Sequence, residues 1–105
     1  MPPNQATINS ITPENPKWGD KVTINYTFPD KMNGLPQVYL KADQNGELVL
    51  SGGGYDRDMP LPSGEQWWYL GQTMLNDMSQ PADGYAQLVI GKRIVAEQHF
   101  PITSA

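Results

Sequence analysis

The stretch Lys21-Val22-Thr23-Ile24-Asn25-Tyr26-Thr27-Phe28 decides the fold. Val22, Ile24, Tyr26 and Phe28 alternate with Lys21, Thr23, Asn25 and Thr27. A period of two held over eight residues means a β-strand with one face buried and one face wet. Upstream, Ala6 to Ile11 reads as a short first strand. Thr12-Pro13-Glu14-Asn15-Pro16 breaks it, since its two prolines cannot donate ladder hydrogen bonds. Trp18-Gly19-Asp20 then makes a turn into the deciding strand.

Downstream, Pro29 to Pro36 is a loop containing Asn33-Gly34. Gln37 to Ala42 follows as a strand, with Val38 and Leu40 on one face and Tyr39 on the other. Asn45-Gly46 lies between two β-capable runs and tolerates positive φ at both turn positions, so a hairpin returns through Glu47 to Leu50. Ser51-Gly52-Gly53-Gly54 reads as the most flexible stretch, continued by a long loop from Tyr55 to Gly64. Gln66 to Leu70 is an aromatic strand, and Thr73 to Met78 is predicted as one helical turn. Ala82-Asp83-Gly84 is read as a turn, and Tyr85 to Ile90 with Arg93 to Phe100 as a last hairpin around Gly91-Lys92. About seven strands with turn signals at this spacing predict an all-β, immunoglobulin-like antiparallel β-sandwich. Strands never alternate with long helices, so a parallel α/β sheet is excluded. With 105 residues the chain makes one domain over 1–105, with 1–5 and 103–105 expected as loose ends.

Bulk properties exclude several functions. Seven basic residues against 11 acidic give a net charge of −4, the wrong sign for a phosphate backbone or an anionic lipid surface. The chain has no cysteine, which removes disulfides, thiolate catalysis and cysteine-held zinc. No apolar run is long enough to span a bilayer, so no membrane insertion is expected. Met1-Pro2-Pro3 has neither the basic start nor the apolar core of a signal peptide; if the domain is exported, Met1 stands on a trimmed chain.

His99 is the sole histidine and no local motif supplies it with a nucleophile or orienting partner, so no catalytic residue is assigned and a non-enzyme is expected. Asp43, Asn45 and Glu47 alternate, as do Asp56 and Asp58, but the twelve-residue calcium spacing with its terminal glutamate is missing. No metal and no cofactor are expected. Asn25-Tyr26-Thr27 fits the N-glycosylation pattern, but it lies within a strand. The aromatic residues are the best functional lead. Trp67 and Trp68 are adjacent on one strand and so point to opposite faces; one fills the core and the other is left outside or beneath a loop. An exposed indole is an apolar platform with a polar handle. The candidate ligand-binding set is therefore Trp18, Trp67 and Trp68, with Tyr55, Asp56 and Asp58 as hydrogen-bonding neighbours.

From Ile11 to Tyr26 the order is strand, Pro-Glu-x-Pro, Gly-Asp turn, then Val-x-Ile-x-Tyr. This resembles the opening of bacterial immunoglobulin-like domains of the E-set type. The second half fits through Met59, Gly64 with Trp67, Met74-Leu75, and Tyr85 to Ile90 with Gly91. Starch-binding modules of the same fold class share the rhythm of Val-x-Ile-x-Tyr, Val-Tyr-Leu and a later tryptophan. The resemblance implies an accessory domain placed before or between the catalytic domains of an exported, extracytoplasmic protein. Its expected partner is a neighbouring domain or a partner protein. The alternatives are a carbohydrate-binding module that stacks polysaccharide on a tryptophan, and a structural subunit of an appendage or virion. The first and last strands read as protected edges, so a monomer is expected in isolation.

Overall fold

The computed structural model describes residues 5–54 and 63–105. Within them, seven strands form and no helix. They are β1 (Thr7–Thr12), β2 (Lys21–Thr27), β3 (Pro36–Gln44), β4 (Glu47–Gly54), β5 (Ser63–Tyr69), β6 (Ala82–Ile90) and β7 (Arg93–Ile102). One sheet has the order β1-β2-β5 and the other β4-β3-β6-β7, with every pairing antiparallel. The chain is an immunoglobulin-like β-sandwich in which β4 pairs with β3; in constant-type immunoglobulin domains the fourth strand joins the first sheet instead.

The deciding strand behaves as its alternation predicts. Val22, Ile24, Tyr26 and Phe28 are buried, and Val38, Leu40 and Ala42 of β3 meet them from the other sheet with Ala86 and Leu88 of β6 and Phe100 and Ile102 of β7. These inward faces make one core. Each fully buried aliphatic side chain contributes roughly 1.5–3 kcal/mol. The β3–β4 hairpin turns at Asn45 and Gly46, whose φ values of 53° and 80° are the pair that the Asn-Gly signal requires.

Four local readings are corrected. Ser51-Gly52-Gly53-Gly54 is the end of β4, paired with β3, because the bare backbone of Gly52 leaves room for the Trp68 ring, 3.1 Å from where a Cβ would stand. Ala82-Asp83-Gly84 opens β6 and is no turn; Gly84 is there because the Phe100 ring occupies the space of its missing side chain. Thr73 to Met78 forms no helical turn. The Thr73 amide donates to Asn76 Oδ1 at 2.8 Å and the Asn76 amide to Thr73 Oγ1 at 3.1 Å, so the side chains capture the donors a helix would use. Gln44, buried at the end of β3, fixes the next segment by accepting from the Asp77 amide and donating to the Asp77 carbonyl, both at 2.8 Å. Finally, the 103–105 end is tied down. The Thr103 amide donates to the Pro16 carbonyl, the Trp18 amide to the Thr103 carbonyl, and the Ala105 amide to the Met78 carbonyl.

Candidate binding surface

The outer face of the β1-β2-β5 sheet follows from strand register. Lys21 stands opposite Tyr69, Thr23 opposite Trp67, and Asn25 opposite Glu65. Toward β1 the face is polar: Asn25 Nδ2 donates to Ser10 Oγ at 3.0 Å and Asn9 Nδ2 to Thr27 Oγ1 at 2.8 Å. The Asn25 amide is thus engaged within the sheet. Toward the free edge of β5 the face turns aromatic. Trp67 is 54% exposed and Tyr69 64% exposed. Their rings meet edge to face, with centroids 5.4 Å apart and an interplanar angle of 79°. Lys21 Nζ lies 5.2 Å from the Trp67 ring centroid, a cation–π distance.

The predicted site residues separate. Trp67 faces outward, while its neighbour Trp68 packs partly buried against the core, so the sandwich uses the pair on both faces as the strand period requires. Trp18 is a correction. It is only 2% exposed, and its Nε1 donates to the Gln80 carbonyl at 2.9 Å. The C-terminal end of β7 and the 70–81 segment close over it, so its ring has no face for a ligand. Tyr55, Asp56 and Asp58 lie outside the described residues, as does Met59. Tyr69 belongs to the aromatic lead in the sequence but not to the candidate binding set, and Lys21 belongs to neither. The i, i+2 spacing of Trp67 and Tyr69 was the signal for one of them, and the β2–β5 register supplies the other.

The outer face of the other sheet holds a polar network. Tyr85 stacks on His99 at 5.1 Å and donates from its hydroxyl to Asp43 Oδ1 at 3.0 Å. Burial, and then this bond to Asp43, push the Tyr85 pKa up to about 12. His99 Nδ1 is 2.9 Å from Asp83 Oδ2 and Nε2 is 2.8 Å from Glu97 Oε1. Only an imidazolium donates from both nitrogens, and these bonds, Glu97 first and Asp83 second, raise the His99 pKa. Gln87 Nε2 donates to Glu97 Oε2 at 3.0 Å and lowers the Glu97 pKa, with His99 as the second cause. Both ring nitrogens are thus held by carboxylates. Among the described residues no group of three or more His, Cys, Asp and Glu side chains is suited to a metal ion, and no helix is long and apolar enough to cross a membrane.

The linkage of this network has a definite sign. Because the folded-state pKa of His99 is raised above 6.5, its contribution is fully present below pH 6.5 and is lost as pH rises through the folded value. Because that of Glu97 is lowered from 4.5, its contribution is present above pH 4.5 and is lost as pH falls through the folded value. Stability from this face is therefore greatest between those limits. Urea midpoints are expected to be higher at pH 5.5 than at pH 8.5 in the parent, and the difference to shrink in His99→Gln. As the His99 side chain is 53% exposed, solvent screening keeps the effect under about 1 kcal/mol. An unchanged pH difference in the variant would remove His99 as its source.

Comparison with protein-family models gives no match, and neither does comparison with the curated proteins.

Proposed function

We propose that this chain is a non-catalytic, immunoglobulin-like accessory module of an exported bacterial protein, and that it docks a neighbouring domain or partner protein on the Trp67–Tyr69–Lys21 surface. The observation that carries the reading is the shape of that cluster. A tryptophan and a tyrosine packed together and left open are residue types that anchor protein interfaces, and Lys21 extends the patch over the Trp67 ring. The resemblance of Ile11 to Tyr26 to E-set domains supports the accessory role and the extracytoplasmic setting. A polysaccharide is the second reading, favoured by the half-exposed indole. It fits less well, because rings at 79° give no continuous platform and Lys21 stands over the Trp67 ring.

Two measurements test this. In an amide and indole NMR titration with soluble α- and β-glucan oligosaccharides, the Trp67 indole signal is expected to stay in place. A selective, saturable shift there would reassign the surface to carbohydrate. In cells that produce the protein, a photo-crosslinking residue at position 69 is expected to give a discrete adduct that Trp67→Ala removes. The same residue at position 41, on the opposite sheet's outer face, is expected to give none. Equal adducts from both positions would overturn the proposal. Trp67→Ala itself should change stability by less than about 1 kcal/mol, since the side chain fills no core space.

A further inference from the structure

A second surface lies at the other end of the sandwich. There the residues just before β1, the 28–35 loop and the β6–β7 turn enclose an open groove of about 600 Å³. Lys31, Lys92 and Arg93 line it, with Asn33 and Gln5 beside them, and Met32, Ile90 and Val95 supply apolar wall. Three of the chain's seven basic residues thus share one groove in a protein of net charge −4. Among the described residues no acidic residue lines it, and none of the three cations pairs with a carboxylate.

The walls are fixed to each other. The Gly91 amide donates to the Leu35 carbonyl at 3.0 Å, and a Cβ on Gly34 would fall 2.8 Å from the Gly91 backbone. The loop and the turn meet backbone to backbone, which only glycine at position 34 permits. The cations therefore stand on a preformed frame, and a ligand need not order it on binding. The groove lies where the chain enters β1 and β7, which are edges of their sheets.

We propose that this groove docks an acidic peptide segment of a partner protein, its carboxylates meeting Lys31, Lys92 and Arg93 and an apolar side chain lying against Met32, Ile90 and Val95. Charge complementarity selects the occupant: like charges that pair with no carboxylate among the described residues are relieved by an anionic ligand, and the mixed wall matches carboxylates interleaved with an apolar residue. This surface is separate from the Trp67–Tyr69 cluster and does not depend on it.

The test is an amide NMR titration of the whole chain with an acetylated, amidated peptide of alternating glutamate and leucine. Saturable shifts are expected at residues 31–35 and 90–95, weakening as salt is raised. Affinity is expected to fall about two- to fivefold for each cation neutralised, and to vanish in Lys31→Glu/Lys92→Glu/Arg93→Glu. An unchanged Trp18 indole signal in that variant reports that the fold is intact. Trp67→Ala is expected to leave the titration unaltered, which separates this result from the proposed docking surface. Equal binding of the peptide with glutamine for glutamate would overturn the proposal. So would inorganic phosphate saturating the same amides with the same affinity, or shifts confined to β5.

Discussion

Trp18→Ala will lower the unfolding free energy by about 3–5 kcal/mol, the usual effect of deleting a large ring from a closed core. The argument rests on where Trp18 sits. Its indole plugs the end of the sandwich where the turn before β2, the end of β7 and the 70–81 segment converge, and it shares the core with Leu70 and Ile102. Truncation leaves a cavity and deletes the donor to the Gln80 carbonyl. Because domains of this size are stabilised by only about 5–15 kcal/mol, the loss is a large share of the total. Urea unfolding with an unchanged m value reads it out. Trp18→Phe should fall between parent and alanine, since it keeps a ring and loses the hydrogen bond. An effect as small as that of Trp67→Ala would mean that Trp18 does not hold this end shut.

Gly84→Ala is expected to destabilise by about 1–3 kcal/mol, although alanine suits a strand better than glycine does. A Cβ at position 84 would stand 2.6 Å from Phe100 Cε2, 2.7 Å from its Cζ and 2.9 Å from Ile102 Cδ1. Both neighbours are core residues, and neither can swing out to water. Relief must come from rotating the Phe100 ring off its preferred position or from parting β6 and β7. Phe100→Leu opens the space, so the double variant should be less destabilised than the two single losses summed. Strict additivity would show that the methyl group meets no resistance from the ring.

How far the sequence reaches can be judged residue by residue. Val22 to Phe28 could be read directly, because a half-buried strand writes its two faces into alternate positions. Asn45-Gly46 was legible for the same reason: a two-residue turn needs particular φ values that few residues adopt. The burial of Trp18 was not, since it comes from the bonds that Pro16 and Trp18 make with Thr103, more than 80 positions away. Thr73 and Asn76 misled because their side chains replaced backbone donors, which no apolar period records. His99 looked unpartnered in the sequence, yet Glu97 lies two residues before it on the same face and Asp83 reaches it through the β6–β7 register. For the candidate surface, an outward tryptophan was foreseen from adjacency alone. Choosing between Trp67 and Trp68 needed the register of β5 against β2, which no local signal carries.

The β1 and β7 edges also determine how the domain answers to tension. Both strands run in the same direction, one in each sheet, residues 5 and 6 lying near 93 and 95 and residues 9–12 near 98–101, and among the described residues β1 pairs only with β2 and β7 only with β6. A force drawn between residues 5 and 105 acts lengthwise along both, across ladders whose hydrogen bonds lie perpendicular to the strands. The bonds must then slip together and cannot open one at a time. β1 is the shorter, with six residues against ten, while each ladder has one irregularity, between Ile8 and Ser10 in β1 and between Leu88 and Val89 in β6. It is the mechanical fuse: single-molecule pulling between those residues should release β1 from β2 first, and a first break at β7 would locate the weak seam on the other sheet.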